Sequence, residues 1–318
     1  MLAQAGSFVL GTVLLLLGAD SLARGAGGLA LRSGLGGYAV GLASTALGAL
    51  LPALAVTLAA AYAHQSELAL GNLVGSSIAQ LGFVLGIAAF AAPLRARLKL
   101  FSRANPALIL ATVLFWVLSL DARINAIDGA ILIIAWLVVA VIVTRSARGE
   151  TEAVRNEIAA ATGTAMLVWR DTARVVVGVV ILPFAAVWLV DGALAFAEAC
   201  HVSPMVMGLT VLGAATALAS VPPTLIAAKR GQGDFAIGHA LGAVIGSLLL
   251  LGGGLGLAMT TPAPRSLQHV ELPWLVALAV AIYPMMKSEG ELSRREGAIL
   301  LIAYALFLAG EAWMAHGT

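Results

Sequence analysis

Apolar residues run in long stretches that are separated by short clusters of charged residues along the whole chain. A helix that crosses a bilayer needs roughly 20 mostly apolar residues, because each residue adds about 1.5 Å against a hydrocarbon core about 30 Å thick. Dividing the chain at its charge clusters gives ten such stretches, at 6–32, 38–63, 67–92, 104–121, 127–144, 175–200, 205–228, 235–260, 272–287 and 297–314. The pattern predicts an all-α integral membrane protein with ten transmembrane helices.

One long polar segment, 145–174, separates the fifth stretch from the sixth. It contains RSARGETEAVRNE and WRDTAR, a mixture of acids and bases that is typical of a solvated, partly helical connector. The segment is too short to fold as a domain of its own. It therefore divides the chain into two units of five predicted helices, 1–144 and 175–318.

The composition agrees with a membrane protein and excludes other classes. Of the 318 residues, 61% are hydrophobic and 11% are charged, whereas soluble domains have about 25% charged residues. So little polar surface excludes a soluble enzyme and a disordered chain. The net charge of +2 gives no reason to expect a nucleic-acid partner, so the lipid bilayer is the expected surrounding.

The basic residues are distributed unevenly between the loops on the two sides of the predicted membrane. If the chain crosses ten times, fifteen Lys and Arg residues lie on the side of the 145–174 segment and two on the opposite side. Basic residues near helix ends are retained in the cytoplasm. We therefore expect the linker in the cytoplasm, both termini outside, and the protein in the plasma (inner) membrane.

The two units repeat one another at an offset of 167 residues. The sequence QSELALGNLVG at 65–75 aligns with QGDFAIGHALG at 232–242, and Thr57 aligns with Thr224. Because five helices is an odd number, the second unit enters the membrane from the opposite side. Inverted repeats are typical of alternating-access transporters, whose substrate site lies near the midplane where discontinuous helices of the two repeats meet.

Prolines and small polar residues mark the second and third helices of each repeat. Pro52 in the first repeat, and Pro222 with Pro223 in the second, predict broken helices, because proline removes a backbone donor. The broken-helix cores are expected at 38–92 and 205–260. In the third helices, GNLVGSSIAQ begins at Gly71 and GHALGAVIGS begins at Gly238.

These motifs resemble the cation/calcium exchanger superfamily, which includes sodium/calcium antiporters. Its repeats carry patterns similar to G-T-S-L-P-E in the second helix and G-N-x-x-G-S-x-I-x-N in the third. The matching segments are GALLPA at 48–53, GNLVGSSIAQLGFVLG at 71–86, ATALAS at 215–220 and GHALGAVIGSLLLLGG at 238–253. The resemblance implies a secondary active cation antiporter that works by alternating access, with the first and sixth helices moving against the core.

The chain departs from the family pattern where the resemblance implies a pair of cation-binding glutamates. Ala53 and Ser220 occupy the two glutamate positions, and no carboxylate is left at the expected centre. The resemblance then implies that neutral oxygens line the ion site, contributed by Ser76, Gln80, Thr216, Ser220, Ser247 and Asn72.

A neutral site changes the expected ion. Calcium takes 6 to 8 oxygens, usually including carboxylates, and neutral oxygens compensate poorly for a dication's lost hydration inside a bilayer. The transported ion is therefore expected to be Na+ or H+, with Ca2+ still possible. Any metal would bind the same neutral set, and no other cofactor is expected.

Ionisable residues inside predicted membrane helices mark function by default. Asp20 and Arg24 lie four residues apart and are expected to pair, while Asp191 is the repeat equivalent of Arg24 and would meet it across the pseudo-two-fold axis. Such contacts would serve as a structural ion pair or as a gate. His239, which replaces the asparagine of the motif, is a candidate proton carrier or a packed, hydrogen-bonded histidine.

Two other functions stay open at this point. A relative that has lost its ligands would be transport-inactive and would act as a regulatory or scaffolding membrane protein. An intramembrane enzyme is not expected, because the chain contains neither H-E-x-x-H nor G-x-S-x-G.

Overall fold

The structure is a computed structural model that describes residues 2–32, 37–95, 98–147 and 168–317. Almost all of these residues are helical. Most of the predicted linker, residues 148–167, lies outside the described ranges.

Each predicted apolar stretch corresponds to a helix. The helices are α1 (Leu2–Arg32), α2 (Gly37–Tyr62), α3 (Ser66–Ala91), α4 (Leu98–Ser119), α5 (Ala126–Ala147), α6 (Val168–Cys200), α7a (Pro204–Leu218), α7b (Val221–Lys229), α8 (Gly233–Ala258), α9 (Leu272–Glu289) and α10 (Arg294–Gly317). Helix α6 therefore begins seven residues earlier than the sequence predicted.

The length and composition of these helices show several membrane spans. Among the described residues, six helices are long and apolar enough to cross a membrane, and α7a with α7b adds a seventh if the bent pair is one span. Three shorter apolar segments lie in α2, α4 and α5, at Leu50–Tyr62, Ala104–Ser119 and Ala126–Ile142. The predicted count of ten crossings stays a prediction.

Two short antiparallel strand pairs join the two halves of the chain. The strands are β1 (Leu94–Arg95), β2 (Arg123–Ile124), β3 (Thr261–Pro262) and β4 (Glu291–Leu292). Strand β1 pairs with β4, and β2 pairs with β3. Beside the first pair, Arg95 Nε donates to Glu291 Oε2 at 2.7 Å, and this contact raises the pKa of Arg95.

The helices of the two halves interlock in a repeating pattern. Helix α3 packs against α7a just as α8 packs against α2, and α10 covers the end of α3 just as α5 covers the end of α8. Two further contacts join helices that occupy the same position in the two repeats, α1 with α6 and α4 with α9. The core therefore consists of α2, α3, α7 and α8, with α3 and α8 the most buried.

The structure contradicts one of the two predicted helix breaks. Helix α2 continues through Pro52 without interruption, whereas α7 is bent by 51° between α7a and α7b. A single proline removes one backbone donor, which a helix can absorb. In the second repeat, two consecutive prolines occupy the first turn of α7b, where the missing N–H groups would have no intrahelical partner in any case.

Two π-helical turns lie at equivalent places in α3 and α8. They span Gln80–Val84 and Ser247–Leu251, and their first residues are 167 positions apart. A π turn inserts a residue into the helix and is frequent at functional sites. Both turns begin at a residue that the sequence assigned to the ion site.

The contact between α3 and α7a is too close to admit a side chain at Gly75. A Cβ atom there would collide with the backbone carbonyl oxygen of Leu209. We expect Gly75→Ala to destabilise the fold by about 1–3 kcal/mol, because the helices would have to move apart. The midpoint of thermal unfolding in detergent measures the effect.

The repeat equivalent, Gly242, provides the control for this prediction. A Cβ atom at Gly242 would meet nothing within 4 Å, so Gly242→Ala should leave the unfolding midpoint nearly unchanged. Equal losses in the two variants would contradict a close approach that is specific to α3 and α7a.

Candidate functional site

Polar side chains line the face of α3 that packs against α7. Asn72, Ser76 and Gln80 are spaced four residues apart, so they share one helical face. All three are at most 5% exposed. A row of buried polar groups on a membrane helix is costly unless it is satisfied by partners or by a ligand.

Gln80 joins this row to the break in α7. Its Nε2 donates a hydrogen bond to Ser220 Oγ at 2.8 Å, across 140 residues of sequence. Ser220 lies between α7a and α7b and is 1% exposed. The other terminal atom, Gln80 Oε1, is buried and has no hydrogen-bond partner among the described residues.

Asn72 forms a second link between the repeats. Thr216 Oγ1 on α7a donates to Asn72 Oδ1 at 2.8 Å, and Asn72 Nδ2 donates to Thr57 Oγ1 on α2 at 3.4 Å. Three helices of the core are therefore joined through a single buried amide. These bonds pair four of the predicted site residues, Gln80 with Ser220 and Asn72 with Thr216, and we call these four residues the polar cluster.

The other two predicted lining residues are buried but make different contacts. Ser76 Oγ donates to the Leu73 carbonyl in its own helix at 3.3 Å. Ser247 is 4% exposed, and its hydroxyl has no partner in the described part of the chain. Its helix, α8, packs against the π turn that begins at Gln80.

Thr57 is a contact of this site that was not among the predicted site residues. The only sequence signal was its alignment with Thr224 in the second repeat. Thr224 is also buried and donates to the Ser220 carbonyl at 2.6 Å. Both threonines therefore support the polar cluster from the helix that carries the proline motif.

The polar cluster is not repeated on the symmetric side of the core. His239 takes the place of Asn72 and Ala53 takes the place of Ser220, so the hydrogen-bond partners differ. His239 is 3% exposed and stacks on Phe235 with ring centroids 5.9 Å apart. Both of its ring nitrogens lack a partner among the described residues, which does not fit a hydrogen-bonded packing role.

The cluster is uncharged. Ala53 and Ser220, at the positions of the family glutamates, are both buried and neither carries a charge. Within the described ranges, no group of three or more His, Cys, Asp or Glu residues is placed to hold a metal ion. An ion bound here would be held by amide and hydroxyl oxygens.

Two of the residues predicted to form a gate, Asp20 and Arg24, pair with each other on α1. Arg24 Nε donates to Asp20 Oδ1 at 2.7 Å, as predicted, and both side chains are exposed. The predicted meeting of Arg24 with Asp191 is wrong, and the described residues show no ion pair between them.

The geometry of the helix pair explains this correction. Helices α1 and α6 pack antiparallel, with Gly25 against Val175 and Gly192 against Phe8. Repeat equivalents meet only where two such helices cross the two-fold axis. Arg24 and Asp191 lie toward opposite ends of the pair, on either side of the crossing near Gly18.

Removing the Thr216 hydroxyl tests the link between α3 and α7a. We expect Thr216→Val to lower the free energy of unfolding by about 1–3 kcal/mol, because Asn72 Oδ1 would stay buried without a donor. Thr210→Val is the control, since Thr210 Oγ1 bonds only to the Val206 carbonyl of its own helix at 2.7 Å. Similar losses in both variants would argue against a bond between the repeats.

Comparisons with known proteins agree with the repeat. A family model described as "Sodium/calcium exchanger protein" matches residues 3–145 and again residues 171–313. The two matches cover nearly the whole chain and correspond to the two halves.

Individual relatives and a solved structure are similar over most of their length. The inner membrane protein YrbG of Escherichia coli is 27% identical over 277 residues, which is 83% of each chain. The putative antiporter CaxA of Alkalimonas amylolytica is 28% identical over 261 residues, 80% of this chain and 81% of that one. The sodium-calcium exchanger NCX_Mj, soaked with Na+ and Sr2+, superposes with a TM-score of 0.69 at 26% identity, covering 97% and 98% of the chains.

Proposed function

This chain belongs to the sodium/calcium exchanger protein family, and from that premise we propose that it is a cation antiporter that moves sodium through an uncharged site by alternating access. The family places it among transporters and not among enzymes. The proposed site lies between α3 and the break in α7.

The unpartnered oxygen of Gln80 is the observation that carries this proposal. Gln80 is the first residue of a π turn, and its Nε2 atom is anchored by a hydrogen bond to Ser220. Its Oε1 atom is buried and has no partner among the described residues. Leaving such an acceptor unsatisfied costs about 1–3 kcal/mol. A bound cation would satisfy it, with the Ser220 hydroxyl oxygen beside it.

The charge of the site favours a monovalent cation. Calcium is usually held by carboxylates, and the cluster contains none. Sodium needs fewer ligands with less negative charge, and unwound backbone carbonyls at a broken helix can contribute the remainder. The bend between α7a and α7b supplies such a place next to Ser220.

A proton is the proposed counter-ion. His239 lies on α8 at the position equivalent to Asn72, and its ring nitrogens are buried and unpartnered. An imidazole with a free ring nitrogen can accept a proton there, which suits histidine to carry protons. A site with an amide in one repeat and an imidazole in the other would bind two different monovalent ions.

The proposed topology follows the repeat. Ten crossings in two inverted units of five would place both termini outside and the 145–174 linker in the cytoplasm. The E. coli relative is named an inner membrane protein, which supports the same location for this chain. The apolar segments of α2, α4 and α5, together with α7, would then supply the remaining four spans.

Ion flux into proteoliposomes tests the proposal. The purified chain is reconstituted into vesicles that are more acidic inside than outside, so that protons leaving the vesicle can drive sodium in. Uptake of radioactive sodium is measured, and uptake of radioactive calcium is measured in parallel. We expect sodium uptake that collapses when the pH gradient is dissipated, and little calcium uptake. Calcium uptake driven by a sodium gradient, or no flux of either ion, would contradict the proposal.

A further inference from the structure

Two buried carboxyl groups lie between α9 and α10, outside the polar cluster of the core. Glu271 precedes the first residue of α9, and Glu311 lies near the end of α10. Each is 1% exposed, and each belongs to a segment that is long and apolar enough to span a membrane. Carboxyl groups in this setting are costly and mark function by default.

A side-chain contact between the two helices indicates that these carboxyl groups lie at the same level of the fold. Helices α9 and α10 follow one another through a short turn and run antiparallel. The rings of Trp274 and Phe307 face each other across them, with centroids 6.4 Å apart. One helical turn from this contact toward the same membrane face leads to Glu271 on one helix and to Glu311 on the other.

Neither carboxyl group has a basic partner in the described part of the chain. Both oxygens of Glu311 and one of Glu271 are without a hydrogen bond, and Glu271 also interacts with Ser266. Among the described side chains, the other titratable groups close to them in sequence are Tyr304 on α10 and His269 and Arg265 before α9. His269 and Arg265 are exposed, and Tyr304 packs on Phe83 of α3.

The parts of α3 and α4 that pack against α9 contribute no charge either. The C-terminal half of α4 lies beside the segment that carries Glu271, because Trp116 Nε1 donates to the Gln268 carbonyl at 2.7 Å. Residues 68–91 of α3 and 104–119 of α4 contain no acidic or basic side chain. Two ionised carboxylates would therefore share an apolar environment without compensation, which is strongly unfavourable.

We propose that Glu271 and Glu311 form a second ion site, a pair of buried carboxyl groups that binds one proton. One carboxyl group of the pair stays protonated while the other is ionised, so the pair holds one negative charge instead of two. The repeat equivalents are Ala104 and Thr144, so the first half has no such pair. The site is independent of the sodium site between α3 and α7.

Labelling with dicyclohexylcarbodiimide tests this site, because the reagent is apolar and adds to protonated carboxyl groups. The full-length protein is labelled in detergent across a range of pH, and the modified residue is located by mass spectrometry of peptides. We expect labelling at Glu271 or Glu311 at neutral pH that is lost at alkaline pH. Glu198, an exposed glutamate on α6, should stay unlabelled at neutral pH.

Conservative substitutions complete the test. In Glu311→Gln and in Glu271→Gln, which keep the size of the side chain, the remaining carboxyl group should still be labelled, and the pH at which its label is lost should shift. The absence of label from both glutamates of the wild-type protein would overturn the proposal. Labelling that appears only after chelation of divalent cations would also overturn it, because a metal ion would then occupy the pair.

Discussion

Replacing Gln80 by alanine is expected to weaken sodium binding by roughly ten- to a hundredfold. A hydrogen bond or ligand contact to a charged group contributes about 1.5–3 kcal/mol, and each 1.4 kcal/mol corresponds to about a factor of ten. Gln80→Ala removes both the free oxygen and the bond to Ser220. The measurement is the sodium concentration that raises the unfolding temperature in detergent halfway to its limit.

Ser77 provides a matched control for this prediction. It is the neighbour of a cluster residue, it is fully buried, and its hydroxyl donates only to the Leu73 carbonyl at 2.8 Å. Ser77→Ala should respond to sodium as the wild type does. A sodium response that is the same in Gln80→Ala and in the wild type would remove Gln80 from the site.

Restoring the two family glutamates is expected to make the protein respond to calcium. Ala53 lies one turn from Thr57 on α2, and Ser220 bonds to Gln80, so both positions border the cluster. In Ala53→Glu/Ser220→Glu, two carboxylates would supply the charge that calcium requires. At a calcium concentration one hundred times the dissociation constant, the stabilisation is about 2.7 kcal/mol.

The control for this prediction separates charge from size. Ala53→Gln/Ser220→Gln introduces side chains of the same length without charge, and it should fold to the same extent but ignore calcium. Calcium stabilisation of the wild-type protein, measured as a rise in unfolding temperature, would show that the neutral site already accepts the dication. A folded glutamate variant that does not respond to calcium would contradict the position of the site.

The helices were largely predictable because apolar stretches are a property of the sequence alone. The stretch predicted at 235–260 corresponds to α8 (Gly233–Ala258), and the repeat at an offset of 167 residues anticipated the equivalent packing of α3 and α8. The break at Ser220 was also indicated by Pro222 and Pro223. A lone proline was a weaker signal, and Pro52 left α2 continuous.

The site was predictable as a set of residues but not as a set of contacts. The motif selected Gln80 and Ser220, yet their bond depends on how α3 meets the break in α7 across 140 residues of sequence. The π turns were not predictable, because an inserted helical residue leaves no distinct hydrophobic pattern. Arg24 and Asp191 show the opposite error, since equivalence in the repeat does not bring two residues into contact.

The carboxyl pair was missed for a different reason. Glu271 lies one residue before the ninth predicted span, where an acidic residue suggests a helix boundary. Glu311 lies within the tenth span, but without Glu271 it was a single acid near a helix end. Only the contact between Trp274 on α9 and Phe307 on α10 places the two glutamates at the same level of the fold.

The most direct test of the central claim is to locate a heavy monovalent cation in the protein. Thallium(I) is a dense monovalent cation with strong anomalous scattering, and crystals soaked with it would show where such an ion binds. The account predicts an anomalous peak in contact with Gln80 Oε1 and Ser220 Oγ that is lost when sodium is added in excess. A soaked crystal with no peak between α3 and α7, or with its only peak between α9 and α10, would contradict it.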